Sequence, residues 1–259
     1  MSISARAERD VKRSNKKAVS PGEGVNPVVW VHRDAQGGRQ VFDPTAVTED
    51  DIVGWLPMRQ VGGSKLSSNI KVKVWCAVNS ARGAQRSHEL ESGLEHDLHR
   101  RLDRPTVSTW LVPQPFQISL PTAGDHIPDL LQISGSGVTV WDCRSEDQQD
   151  DTFRKKSAET KDAAAAVGWQ YSVFAGMSVC ERLNLIQLNG SRRRREWTSK
   201  HTSTIQSAVS AESASMGDLF NLDDGTGELK STLWHMIWCG EVKIDLTGKI
   251  TPASMVSAP

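Results

Sequence analysis

Four short segments place chemistry-bearing groups in a fixed order: Ser92-Gly93-Leu94-Glu95, Gln114-Pro115-Phe116-Gln117-Ile118, His126-Ile127-Pro128-Asp129 and Val140-Trp141-Asp142-Cys143-Arg144. They supply a glutamate in a helical pattern, an aspartate entering a strand, and a second acid on the next strand with a base two residues later. Hard divalent cations such as Mg²⁺ take carboxylate oxygens and keep several waters. Glu95, Asp129 and Asp142 are therefore a candidate metal set, with the backbone carbonyl of Cys143 as a further oxygen. An ion held there would activate a water for attack on phosphorus and stabilise charge on the leaving oxygen. Arg144 shares a strand face with Asp142 by the period of two. It suits stabilisation of developing negative charge but not general-base work, because it keeps its proton. By itself an acid, acid-x-arginine pattern more often marks a charged surface strand. Glu95 has a plain alternative too, flanking an apolar stripe and reaching solvent or an arginine. For His126 the plain reading is a polar contact that holds its loop, and the other is approach to a phosphate or metal.

The elements that would position these groups follow from periodicity. Leu90, Leu94, Leu98 and Leu102 recur every four residues and predict a helix over 88–102. Alternation predicts strands at 70–78, 107–112, 116–120, 129–133 and 138–144, the last two joined as a hairpin through Ser134-Gly135-Ser136-Gly137. A helix over 151–167 follows, capped by Asp150 or Asp151 and ended by Gly168, with Phe153, Lys156, Thr160, Ala164 and Val167 on its inward side. A strand over 169–174 returns to the sheet. Upstream, 28–30 reads as a strand, 48–56 as a short helix capped by Thr48, and 61–66 as a loop.

The rest of the chain reads as flanking units. Residues 1–26 are polar and basic and predict a disordered arm. Residues 27–189 form the first folded domain and 190–203 a basic, Ser/Thr-rich linker. The linker holds Arg192, Arg193, Arg194 and Arg195, which could neutralise DNA phosphates or form a solvated loop. Residues 204–259 predict helices over 204–211, 216–222 and 228–239, then a hairpin of 242–246 with 249–251, the outline of a winged-helix module. Lys and Arg balance Asp and Glu at 31 each, which does not exclude DNA binding where the basic residues cluster. The four cysteines contain no CxxC pair, which argues against a zinc knuckle or a disulfide framework and fits a reducing cytosol. No apolar run is long enough to span a membrane, and the N-terminus lacks a signal-peptide core. A cytoplasmic protein is expected.

The four segments, with Val167-Gly168-Trp169-Gln170-Tyr171-Ser172-Val173 and Leu233-Trp234-His235-Met236-Ile237-Trp238, resemble the TnsA-type endonuclease subunits of heteromeric transposases, especially actinobacterial ones. The likeness covers most of the chain from about residue 28. It implies an α/β fold: a restriction-endonuclease-like mixed sheet flanked by helices, of the PD-(D/E)xK superfamily, plus a small C-terminal winged-helix-like domain. It implies a Mg²⁺- or Mn²⁺-dependent DNA endonuclease that nicks the 5′ ends of a mobile element. Its partners would be transposon-end DNA, a DDE-type transposase and an ATPase regulator, in a bacterial cytoplasm with nucleoid association when DNA-bound. By this resemblance Glu95 matches the helix glutamate, Asp129 the central aspartate, Asp142 the acid or amide position and Arg144 the lysine position. Arg144 is a departure from the family. In the wider superfamily the lysine can migrate to the following helix, and Lys156 lies there. The second function implied is a catalytically weakened or inactive assembly module that binds DNA and the same partners.

Overall fold

A computed structural model of the chain describes residues 27–59, 72–76, 87–211 and 214–259. The expected basic arm at 1–26 and the loop at 61–66 lie outside the described residues. The architecture is mixed α/β, with seven α-helices and several sheets among the described residues. The first sheet is antiparallel and contains β1 (Val29–Arg33), β2 (Arg39–Phe42), β6 (Phe116–Leu120) and β7 (Gly124–His126) in the order β2-β1-β6-β7. The short helix α1 (Glu49–Val53) starts at a Thr48 capping box, as its sequence requires.

The second sheet carries the candidate chemistry. It comprises β5 (Trp110–Pro113), β8 (Leu130–Ser134), β9 (Gly137–Cys143) and β10 (Gln170–Phe174) in the order β10-β9-β8-β5. β8 and β9 form the expected antiparallel hairpin, with Leu130 opposite Trp141 and Leu131 opposite Val140. β10 runs parallel to β9, so the connection must cross over the sheet. Helix α3 (Asp151–Ala166) makes that crossover, with Asp150 accepting from the Phe153 amide and Gly168 leaving at φ 76°.

Alternation along these strands gives the sheet two apolar faces. Leu131, Ile133 and Val140 face Trp30, Phe116, Ile118 of the first sheet and Ala163 of α3. Leu111, Leu130 and Phe174 face Leu98 and Leu102 of α2 (Gly93–Leu102). This helix is shorter than the leucine spacing predicts. Residues 87–90 form β4 (Ser87–Leu90) instead, paired with β3 (Val72–Trp75), and His88 and Leu90 point inward from it. Leu90 satisfies both a four-residue and a two-residue period. Ser92 decides between them: its Oγ accepts from the Glu95 amide at 3.1 Å and starts the helix.

Helix α4 (Val179–Asn189), not anticipated from the sequence, joins this unit to the C-terminal residues. Leu188 enters a core with Ile205 and Val209 of α5 (Thr198–Ala211), Met216 and Leu219 of α6 (Met216–Asn221), and Leu233, Met236 and Ile237 of α7 (Glu228–Cys239). Other residues of α4 grip α2. Arg182 Nη2 lies 2.5 Å from Asp97 Oδ2, and Arg101 Nη2 lies 2.6 Å from Glu181 Oε1. Helix α5 begins at Thr198, inside the stretch read as a linker. The hairpin partner also differs: β12 (Lys243–Ile244) pairs with β13 (Met255–Ser257), which pairs on its other side with β11 (Ala214–Ser215). Residues 249–251 form no strand because the chain turns there, the Ser254 amide donating to the Thr251 carbonyl. Among the described residues, no helix is long and apolar enough to cross a membrane.

Candidate active site

The chain changes sheets between β5 and β6, at Pro113-Gln114-Pro115. Gln114 takes φ 44° there, a left-handed conformation uncommon for a residue with a Cβ. Its neighbours hold it: the Gln114 amide donates to the Asp129 carbonyl at 2.9 Å, and the Gln114 carbonyl accepts from the Met58 amide at 2.9 Å. Its side-chain Nε2 donates to Glu91 Oε1 at 2.7 Å. Its Oε1 is buried and has no hydrogen-bond partner among the described residues. This reversal fixes Asp129 at the mouth of β8, where Oδ2 accepts from the Cys143 amide at 2.7 Å.

Glu95 and Asp142 approach Asp129 from opposite sides of the sheet. Glu95 is on α2, 8% exposed, accepting from the Glu91 amide at 2.9 Å and from the Ser92 hydroxyl at 2.9 Å. Asp142 is on the α3 side, only 2% exposed. Its Oδ2 accepts from the Tyr171 hydroxyl at 2.5 Å and lies 2.8 Å from His126 Nε2. The three carboxylates do not have oxygens all within 4.8 Å of one another. Among the described residues the metal-ligating set that meets this distance is Cys76, His88 and His99. Cysteines scattered in sequence therefore do not exclude an N/S metal cluster.

Electrostatics nonetheless link the acids. Burial, and then the charges of Asp142 and Glu95, push the Asp129 carboxyl up to about 8. Burial raises Glu95 as well. The Tyr171 hydroxyl is driven far up by burial and by Asp142, so it remains a donor. A crowded acid set of this kind favours a cation, a proton or both.

The candidate cations are dispersed around it. Arg144 is exposed, and its guanidinium lies over the Phe153 ring at 5.3 Å. Lys156 is half-buried on α3, one residue before Ser157, which hydrogen-bonds Tyr171. Arg59, absent from the sequence reading, lies 3.9 Å from Asp129 Oδ1 and 3.7 Å from Glu91 Oε2. It is 44% exposed at the side chain, so solvent weakens both pairs. Arg193, Arg194 and Arg195 are exposed, whereas Arg192 is half-buried near α2 and α4.

Sequence reasoning missed Arg59, Glu91 and Tyr171 as neighbours of the acids. Arg59 has no periodic signal and meets Asp129 only through the fold. Tyr171 was legible as a strand residue, and its being the chain's single tyrosine was the available cue. No protein-family model matches this chain, and a comparison with characterised proteins finds none similar to it.

Proposed function

We propose that the chain is a divalent-metal-dependent DNA endonuclease subunit of the TnsA type, with a restriction-endonuclease-like core and a winged-helix-like C-terminal unit. The observation that carries this reading is the gathering of Asp142 and the helix acid Glu95 about Asp129 in the protein interior, where burial first and then those two charges push the Asp129 carboxyl up to about 8. The donor chemistry fits a hard cation: carboxylate oxygens of Asp129, Glu95, Glu91 and Asp142, with the Gln114 side chain on Glu91 and its Oε1 without a hydrogen-bond partner among the described residues. Mg²⁺ is commonly held by one or two carboxylates plus substrate phosphate, so the spread of these acids is compatible with it. Bound there, the ion would supply a Lewis acid for the phosphodiester and an activated water. Asp129 is the central ligand in this reading, with Glu95 and Asp142 on its flanks. The exposed arginines 193–195 would track DNA phosphates. A DDE-type transposase and an ATPase regulator are the proposed partners.

Arg144 supports the second reading. Its guanidinium is stacked on Phe153 and is not paired with Asp142, which suits an assembly module that keeps the fold without cleaving. A nicking assay on labelled element ends, with partner proteins and Mn²⁺, separates the two. The endonuclease reading requires nicks that Asp129→Asn abolishes. Intact DNA with wild type under those conditions favours the assembly module.

A further inference from the structure

Cys76, His88 and His99 come from three separate elements and meet in the interior. Cys76 follows β3, His88 is on β4 and His99 on α2, and they are 4%, 4% and 3% exposed. Their ligand atoms all lie within 4.8 Å of one another. His88 Nδ1 and His99 Nε2 are 3.2 Å apart, with ring planes at 85°. Two imidazole nitrogens on one tetrahedral zinc ion, each bonded at ~2.0–2.1 Å, stand about 3.3 Å apart. Asp103, at the end of α2, places Oδ1 3.3 Å from Cys76 Sγ.

We propose that Cys76, His88 and His99 bind a single Zn²⁺-class ion, with the Asp103 carboxylate or a water in the fourth position. A mixed sulfur and nitrogen donor set selects borderline transition metals over Mg²⁺ or Ca²⁺, which take oxygen ligands. This centre is therefore chemically distinct from the carboxylate site, and it does not rest on the proposed nuclease reading. A Cys76 thiolate and the Asp103 carboxylate would carry the two negative charges that offset a dication. Both imidazole rings are buried, and His88 Nδ1 and His99 Nε2 turn toward each other rather than toward solvent. Binding at neutral pH transfers the Cys76 thiol proton to solvent as the sulfur–metal bond forms. His99 and Asp103 also line a cavity of about 190 Å³, together with Lys73, Arg100, Arg104 and Arg192. Once bound, the ion would fasten the β3–β4 ladder to α2, one helical turn from Glu95.

The test uses the full chain after chelator treatment, titrated with Co²⁺ and then with Zn²⁺. The expected result is one Co²⁺ per chain, with tetrahedral ligand-field bands and a near-ultraviolet thiolate-to-cobalt charge-transfer band, both removed by Zn²⁺ and unaffected by excess Mg²⁺. Cys76→Ser should abolish the charge-transfer band, and Asp103→Asn should weaken affinity by ~10-fold or more. His99→Gln should weaken it further. Cys143→Ser and Asp129→Asn should retain the full spectrum, since they alter the other site. Absence of a thiolate band in wild type overturns the proposal whatever the variants do. So does a band that survives Cys76→Ser, or one that disappears with Cys143→Ser. An interior cluster held only by imidazole–imidazole and thiol–carboxylate hydrogen bonds would give the first of these results.

Discussion

His126 Nε2 and Asp142 Oδ2 lie 2.8 Å apart, and that contact ties the edge strand of the first sheet to a central strand of the second. Asp142 is almost wholly buried, so its oxygens depend on His126 and Tyr171 for what water would otherwise supply. Removing one donor from a buried acceptor costs roughly 1–3 kcal/mol. His126→Ala and Tyr171→Phe should each destabilise the protein in that range, and the double variant by more than either. Adding Asp142→Asn to the double variant should recover part of the loss, because an amide tolerates burial better than an unpaired carboxylate. Urea denaturation checks this, and a double variant no weaker than His126→Ala would contradict it.

In the folded chain burial, and then the charges of Asp142 and Glu95, push the Asp129 carboxyl up to about 8 from the 3.8 of an ordinary aspartate. Across that window the folded protein keeps a proton that the unfolded chain has released. The stability this group contributes is complete below about pH 4 and is lost as pH rises toward about 8. Metal-free wild type should therefore weaken over this range, and Asp129→Asn should flatten the decline. Added Mn²⁺ should restore wild type at high pH and leave Asp129→Asn unchanged. Thermal melts in chelator and in Mn²⁺ measure both effects. Identical pH slopes for the two proteins would remove Asp129 as the source.

Three cations compete for a role at the acids, and their surroundings rank them. Arg144 is occupied on Phe153, whereas Lys156 is half-buried on the Asp142 side. Loss of one transition-state contact commonly costs ~10²-fold in rate. Lys156→Ala should lower nicking by about that factor and Arg144→Ala by less, with folding intact in both. Arg59→Ala should fall between them. A gain of nicking in Arg144→Lys together with no effect of Lys156→Ala would reverse the ranking.

Gly240 ends α7 at φ 75°, and a Cβ there would lie 2.6 Å from Thr106 Oγ1. Gly168 ends α3 at φ 76° with open space around it. Both backbones are left-handed, so alanine at either position adds ~1–2 kcal/mol of strain. Gly240→Ala adds the clash and should lower the melting temperature further than Gly168→Ala. Gly240→Ala with Thr106→Ser should regain part of the difference, because Thr106 Cγ2 would also lie 2.7 Å away. Equal losses at the two glycines would rule out the contact with Thr106.

Much of the scaffold was legible because local signals agreed with it. The Ser134–Gly137 hairpin, the Asp150 cap and the full span of α7 each rest on a turn residue or cap next to a clean apolar pattern. Leu90 shows the limit, since its spacing fits two periods and only the Ser92 cap decides between them. The candidate site was legible as residue types but not as facing. Period-two alternation placed Asp142 and Arg144 on one face, yet it could not say that Glu95 approaches from the other. Arg59, Tyr171 and the Cys76 cluster depend on tertiary contacts between segments with no common motif.

Asp97 is buried between α2 and α4, and its second arginine, Arg182, comes 85 residues later in the chain. During synthesis, residues through β10 emerge before that counter-charge and before Leu188. Until α4 docks, Asp97 has Arg100 of its own helix, at 3.1 Å, and whatever water reaches it. The nascent first sheet and hairpin can assemble on their own apolar faces, but the helix carrying Glu95 and His99 gains its last ionic clamp only when α4 leaves the ribosome. The order of translation thus makes the Glu95 side of the acid cluster later to become rigid than the hairpin that carries Asp129 and Asp142.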